Sequence, residues 1–128
     1  MNSPAILTAL AGAEVTVLGR LAGASNTTLR GDAGGVACVY KPVRGERPLW
    51  DFPEWSLGRR EVASYALSEA LGWNLVPPTA WRSDGPAGPG MCQLWIDEAD
   101  DAQHAKRARE RSLGLLACLR RVALGLRR

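Results

Sequence analysis

Lys41 and Glu61 are the two side chains whose types and positions are best suited to chemistry at one place. Lys41 ends the apolar run of residues 36–40, is followed directly by a proline, and is one of only two lysines in the chain. Glu61 follows in a segment whose periodicity is helical. A carboxylate within reach of an ammonium group forms a charge-assisted hydrogen bond with it and fixes its direction.

Each of these residues also has a plainer interpretation. Strand-end lysines are usually solvated, with the aliphatic stem covering apolar surface. A glutamate early in a helix is stabilised by the helix dipole and needs no partner. The pairing therefore depends on the elements that bring the two side chains together.

Alternating and helical patterns predict those elements. We expect strands at residues 14–21, 27–30, 36–41, 74–82 and 91–96, the second and third of them joined as a hairpin across glycines. We expect one main helix over residues 57–71, capped by Ser56 and ended by Gly72, with an apolar stripe of Val62, Ala66 and Ala70. The predicted fold is α+β: an antiparallel sheet of about five strands, this helix, and a basic C-terminal helix.

Length and composition narrow the class of protein. The 128 residues suit one domain, and 46% hydrophobic with 23% charged residues is ordinary for a globular protein. The first residues lack the positive segment of a secretory signal, so we expect a mature N-terminus and a cytoplasmic location. Three separated cysteines, none in a CxxC pair, argue against a disulfide framework or a zinc site.

The positive charge is concentrated at the C-terminal end. Residues 102–128 contain eight basic residues and one acidic residue, a net charge of +7, whereas residues 1–101 contain eight basic and twelve acidic residues, a net charge of −4. This amphipathic tail fits three partners: an anionic membrane surface, a nucleic acid, or its own domain. We favour packing on its own domain and predict no specific nucleic-acid target.

Several other residues are assigned no chemistry. Trp50, Phe52 and Trp55 lie in a proline-rich loop and are expected to fold back as a satellite core. The acidic residues near position 100 are more typical of a helix cap than of a metal site. His104 is the only histidine and has no candidate partners for catalysis or metal binding. We therefore predict no catalytic residue and no metal ligand.

Two stretches together resemble a known family. VYKP (residues 39–42) followed by REVASYALSEALGWNLVPPT (residues 60–79) is similar to the phosphatidylinositol 3-/4-kinase-like superfamily, in particular to type II phosphatidylinositol 4-kinases and a group of actinobacterial proteins. The actinobacterial group is also similar through KPVRGERPLWDFP and GPGMCQLWIDE. The resemblance covers about residues 14–98 and implies the N-terminal lobe of a kinase.

The resemblance implies roles for individual residues. Lys41 would contact the phosphates of ATP, bound with magnesium, and Glu61 would orient Lys41. Ser25 and Asn26 would lie in the turn on the phosphate side. The backbone of Ile96, Asp97 and Glu98 would form the hinge beside adenine.

The chain departs from the family after Glu98. The family continues into a second lobe with a catalytic aspartate, an asparagine and a metal-binding aspartate, whereas here only Asp100 and Asp101 precede the basic tail. We therefore expect two regions: a nucleotide-binding lobe over residues 1–98, and a tail over residues 99–128 that truncates or replaces the second lobe. The expected function is ATP binding, catalytically incomplete unless another lobe or chain supplies the rest. The alternative is a non-catalytic interaction module that uses the basic helix.

Overall fold

The fold is α+β, as the sequence predicts. A computed structural model describes residues 3–23, 26–47, 50–51, 53 and 55–97, with the single positions 106 and 110. The elements are α1 (Ser3–Gly12), β1 (Val15–Arg20), β2 (Leu29–Ala33), β3 (Val36–Pro42), a 3₁₀ turn (Val43–Gly45), α2 (Leu57–Ala70), β4 (Thr79–Arg82) and β5 (Gly90–Leu94). The predicted basic C-terminal helix lies outside the described residues, apart from those two positions.

The five strands form one antiparallel sheet in the order β1-β2-β3-β5-β4. The central strand β3 alternates between buried and half-buried residues along its whole length. Because successive side chains of a strand point to opposite faces, Cys38 and Tyr40 face one side and Val39 and Lys41 face the other. The first face holds the core, and the second face holds the candidate site.

The core lies between the sheet and α1, a helix that the sequence analysis did not predict. Ile6, Ala9, Leu10 and Ala13 recur at the spacing of one helix face and pack on the sheet, where Leu10 is fully buried. The helix has no acidic residue in its first turn and no basic residue in its last, so its ends lack the charges that commonly mark a helix. The helical spacing of these apolar residues was the feature of the sequence from which α1 could have been predicted.

Arg82 fastens the end of α1 to the sheet. Its guanidinium is buried and donates hydrogen bonds to the carbonyl oxygens of Leu10 at 3.0 Å and Ala13 at 2.8 Å, and to that of Asp84 at 2.7 Å. The last carbonyl groups of a helix have no partner within the helix and carry partial negative charge. The arginine therefore both satisfies these groups and neutralises them.

The hairpin between β2 and β3 is present, but its turn is shorter than predicted. Gly31, Asp32 and Ala33 belong to β2, and only Gly34 and Gly35 form the turn. Both glycines have positive φ, at 59° and 90°, as the tight two-residue turn of a hairpin requires. The Asp32 carboxylate accepts a hydrogen bond from the Gly35 amide at 2.7 Å.

The main helix begins and ends where the sequence predicts, but its N-terminal cap differs. Gly72 has φ 66°, its amide donates to Glu69, and the amide of Trp73 donates to Ser68, which is the pairing of a Schellman motif. At the other end Ser56 occupies the cap position, but its side chain makes no cap hydrogen bond and donates to the Pro53 carbonyl. The predicted Ser56 cap is therefore wrong.

The inward face of α2 also differs from the prediction. Tyr65 and Ser68 are buried, whereas Ala66 and Ala70 of the predicted apolar stripe are exposed. Small apolar side chains at helical spacing do not identify the packed face here, because that face carries the large Tyr65 and Ser68. The outer face instead exposes Leu67 and Leu71.

The proline-rich loop does not fold back as a satellite core at its two described tryptophans. Trp50 is almost fully exposed and Trp55 is about half exposed, while Phe52 lies outside the described residues. Among the described residues, no helix is long and apolar enough to cross a membrane.

Replacing Arg82 with methionine is expected to lower the free energy of unfolding by about 3 kcal/mol, because buried carbonyl groups at the end of α1 lose charged donors. Urea denaturation followed by circular dichroism measures this change. Arg20→Met, on the exposed part of β1, is the matched control and should change stability by less than about 0.5 kcal/mol. Equal effects of the two substitutions would contradict the role of Arg82.

Candidate functional site

The ion pair between Lys41 and Glu61, expected from the sequence, is present. The Lys41 Nζ lies 3.1 Å from both carboxylate oxygens of Glu61, so the contact is bidentate. The two side chains are 30% and 36% exposed. The ammonium group is therefore held in a defined direction while it remains accessible to a ligand from solvent.

Strand alternation and a cross-strand contact place the two partners. Lys41 follows the buried Tyr40 and so points to the face of the sheet that α2 covers. Its cross-strand neighbour is Met91 on β5, and Met91 is in turn paired with Trp81 on β4. The side chains of Met91 and Trp81 lie against Gly58 in the first turn of α2. This contact brings Glu61, one turn later, over the end of β3.

Glu46 holds the N-terminus of α2 next to this site. Its Oε1 accepts a hydrogen bond from the Gly58 amide at 2.9 Å, which satisfies one of the helix's free N–H groups. A carboxylate at a helix N-terminus is also favoured by the helix dipole. Its other oxygen, Oε2, is buried without a hydrogen-bond partner among the described residues. This long-range cap replaces the one predicted at Ser56.

A shallow pocket of about 190 Å³ lies on the open side of the same face. It is lined by Val39, Pro77, Gln93, Leu94, Trp95 and Ile96. Val39 is two residues before Lys41 on β3 and therefore points to the same side of the sheet. The pocket and the ammonium group are thus neighbours on one surface.

Trp95 forms a firmly held wall of this pocket. The Arg30 guanidinium lies 4.7 Å from the centroid of its ring. The Trp95 backbone amide donates to the Ala37 carbonyl at 2.9 Å, and its indole N–H donates to Asp97 at 3.2 Å. The indole ring is therefore held by the guanidinium on its face, by the hydrogen bond at its N–H edge and by the backbone hydrogen bond of its residue.

The other predicted site residues are partly brought to this region. Ile96 lines the pocket, and Asp97 lies next to it as the acceptor for Trp95. The Asn26 side chain accepts a hydrogen bond from the Arg47 amide at 2.6 Å, so this turn adjoins the segment that follows β3. Ser25 and Glu98 lie outside the described residues.

Burial and hydrogen bonding shift the pKa values of Tyr40, Cys38 and Cys92 on the core face. Burial raises the pKa of Tyr40, whose hydroxyl donates to the Gly88 carbonyl and accepts from the Ala87 amide. A hydrogen bond with Cys38 raises the pKa of the Cys92 thiol and burial raises it further, while the same bond lowers the pKa of Cys38. Among the described residues, no three His, Cys, Asp or Glu side chains are grouped so that they could hold a metal ion.

Arg30, Glu46 and Arg82 make contacts around the site and the core that the sequence did not predict. The predicted strand ended at Arg30, whereas β2 continues to Ala33. The sequence therefore did not show toward which face of the sheet the Arg30 side chain points. Glu46 and Arg82 act on elements distant in sequence. Only their positions in a folded chain show these contacts.

The fold and site define the class of protein as an α+β domain: an antiparallel sheet with one helix on each face and a half-buried lysine–glutamate pair that joins the third strand to the second helix. The chain is similar to Protein Rv2133c of Mycobacterium tuberculosis (strain ATCC 25618 / H37Rv), with 55% identity over 97 residues, which is 73% of this chain and 34% of that protein. The chain thus spans about one third of the length of this relative. No family model matches the chain, and no solved structure matches it.

The ion pair is expected to contribute little to folding, because partly exposed pairs are well solvated in both states. In a double-mutant cycle of Lys41→Met and Glu61→Gln, the coupling energy from urea denaturation should be about 0.2–1 kcal/mol. A coupling above about 2 kcal/mol would instead show that the pair is mainly structural.

Proposed function

We propose that this domain binds a nucleotide, with ATP as the expected ligand, as the N-terminal lobe of a phosphatidylinositol 3-/4-kinase-like protein. The observation that carries the proposal is the bidentate contact of Lys41 with Glu61 beside an apolar pocket. Lysine is a common ligand of phosphate, and a carboxylate partner aims it. The chain order of the elements, with the lysine at the end of the third strand and the glutamate in the following helix, also supports this proposal.

The pocket suits the ring of a nucleotide better than the whole molecule. Its volume of about 190 Å³ is below the roughly 300–1,000 Å³ of complete small-molecule sites, so it holds one ring system and leaves the rest of the ligand outside. Val39, Pro77 and Trp95 provide apolar walls, and Gln93 provides polar groups. A ring bound there points its substituents along the sheet toward Lys41.

The described residues do not fit the magnesium ion that the family uses. Hard divalent cations need several oxygen ligands, and the part of the chain that the structure describes contains no suitable group of carboxylates. The proposal therefore covers nucleotide binding by Lys41 and the pocket. It includes no phosphoryl-transfer step.

ATP is expected to raise the melting temperature of the 128-residue chain by roughly 3–6 °C at ten times its dissociation constant. Lys41→Met should abolish most of this shift because the phosphates lose their cation. Lys106→Met, which removes the chain's other lysine, is the matched control and should leave the shift unchanged. Wild-type protein that shows no shift at millimolar ATP would overturn the proposal.

A second candidate function is a non-catalytic interaction module. The observation that favours it is the outer face of α2, where Leu67 and Leu71 are 57% and 49% exposed on adjacent turns. An exposed apolar surface of this kind is typical of a contact with another molecule. The basic segment of residues 102–128, which lies outside the described residues apart from positions 106 and 110, would add an anionic partner.

Binding to vesicles that contain an anionic phospholipid tests this second candidate. Binding should fall steeply between 50 and about 300 mM salt because charge attraction is screened, and it should vanish when residues 102–128 are deleted. Neutral phosphatidylcholine vesicles are the control. Binding that is absent, or that salt does not change, would remove the candidate.

A further inference from the structure

The outer face of α2 carries an exposed apolar stripe. Its members recur at the spacing of one helix face: Ala63, Leu67, Ala70 and Leu71. Both leucines are about half exposed, and the alanines between them leave grooves into which the side chains of a second helix can pack. This stripe lies opposite the buried Tyr65 and Ser68, so it is a second apolar face of the same helix.

The C-terminal end of α2 is suited to a basic partner. Its last turn has no basic residue, and Glu69 is exposed there. The last carbonyl groups of a helix also carry partial negative charge. Arg59 and Arg60 lie at the opposite end of the helix. The exposed leucines therefore lie in a region of negative potential.

The chain leaves the sheet close to this end of α2. The amide of Leu94, the last residue of β5, donates to the Pro78 carbonyl at 2.9 Å, and Pro78 belongs to the short segment that joins α2 to β4. The continuous part of the described chain ends three residues later, at Asp97. At up to about 3.3 Å per residue, the residues that follow Asp97 are long enough to reach any part of α2.

The sequence of residues 102–128, the basic tail, matches the exposed face of α2. Apart from positions 106 and 110, the tail lies outside the described residues. Its apolar residues recur at helical spacing: Leu115, Leu119, Val122 and Leu126. In a continuous helix of 3.6 residues per turn, Lys106 and Glu110 lie on the side opposite this stripe. Both positions are helical and exposed, as a polar side would be.

The charges of the two parts are complementary. The basic tail contains eight basic residues and one acidic residue, whereas acidic residues outnumber basic ones in residues 1–101. Because the tail is attached to the same chain, its effective concentration at α2 is on the order of millimolar. Contact within one chain is therefore favoured over contact between two copies.

We propose that the basic tail binds to the outer face of α2 of its own chain, with its apolar stripe against Leu67 and Leu71. This inference does not depend on nucleotide binding. It concerns the same face as the second candidate function. The two uses exclude each other, because a face that the tail covers is not open to another molecule.

Crosslinking between a cysteine on α2 and the natural Cys118 of the tail tests the inference. The other two cysteines, Cys38 and Cys92, are fully buried and are protected from the reagent. Ala70→Cys places a thiol in the exposed stripe and keeps both leucines. A short bismaleimide should join residues 70 and 118 within one chain, about tenfold or more faster than in a control variant. Peptide mass spectrometry identifies the joined residues, and size-exclusion chromatography shows whether the product is a monomer.

Leu18→Cys is the matched control. Leu18 is exposed on β1, at the opposite edge of the sheet from β4, against which α2 lies. Adding Leu67→Asp and Leu71→Asp to Ala70→Cys should lower the crosslinking rate to that of Leu18→Cys, because the apolar contact is lost. Circular dichroism of each variant verifies the fold before crosslinking.

The outcomes decide between the possible occupants of this face. A monomeric product that forms at position 70 and is lost with the two aspartates supports the inference. Equal rates at positions 70 and 18 would show that the tail does not dock on α2, and would overturn it. A product that is mainly dimeric would assign the face to a second copy and also overturn the inference. Crosslinking at neither position, together with the salt-dependent vesicle binding described above, would overturn it in favour of the second candidate function.

Discussion

The alternation of side chains along β3 is the constraint on which the rest of the structure depends. One set of residues, including Cys38 and Tyr40, must be buried against α1, and the strand's geometry then sends Val39 and Lys41 to the opposite face. A register shift of one residue would bury the ammonium group and expose the tyrosine. The apolar core therefore determines where the charged group points.

The helix over this second face is positioned by contacts that are not part of its apolar packing. Glu46 satisfies its N-terminus from the segment after β3, and the Schellman motif at Gly72 ends it. Glu61 then lies above the end of β3, within reach of Lys41. Lys41 belongs to β3, and Glu46, which caps α2, follows β3 directly. One segment of the chain therefore fixes the position of the helix relative to the strand.

The sequence predicted the features that depend on local patterns. Alternation located the first strand, a glycine-rich turn located the hairpin, and apolar or extended runs located the last two strands, because these preferences act over few residues. The predicted fourth strand, residues 74–82, is shortened to Thr79–Arg82. The pairing of Lys41 with Glu61 came from the family resemblance and the order of elements. The nucleotide role of that pair stays a prediction.

What the sequence did not predict depends on contacts between distant segments. The buried face of α2 is that of Tyr65 and Ser68, and small alanines carry too little apolar area to decide which face is buried. The functions of Glu46 and Arg82 follow from carbonyl and amide groups that become unpaired only when the helices form. The helix α1 was not predicted because its apolar stripe is short and its ends lack acidic and basic residues.

The connectivity of the sheet has a consequence for the order of folding. The loop that joins β2 to β3 is only the turn of two glycines. Pairing of β3 with β5, in contrast, requires closure of the whole segment between Pro42 and Gly90. Loop-closure entropy favours the shorter connection, so we expect the meander of β1, β2 and β3 to form early and the surface that carries the ammonium group to be completed late. Partly folded chains would then present that group without its carboxylate.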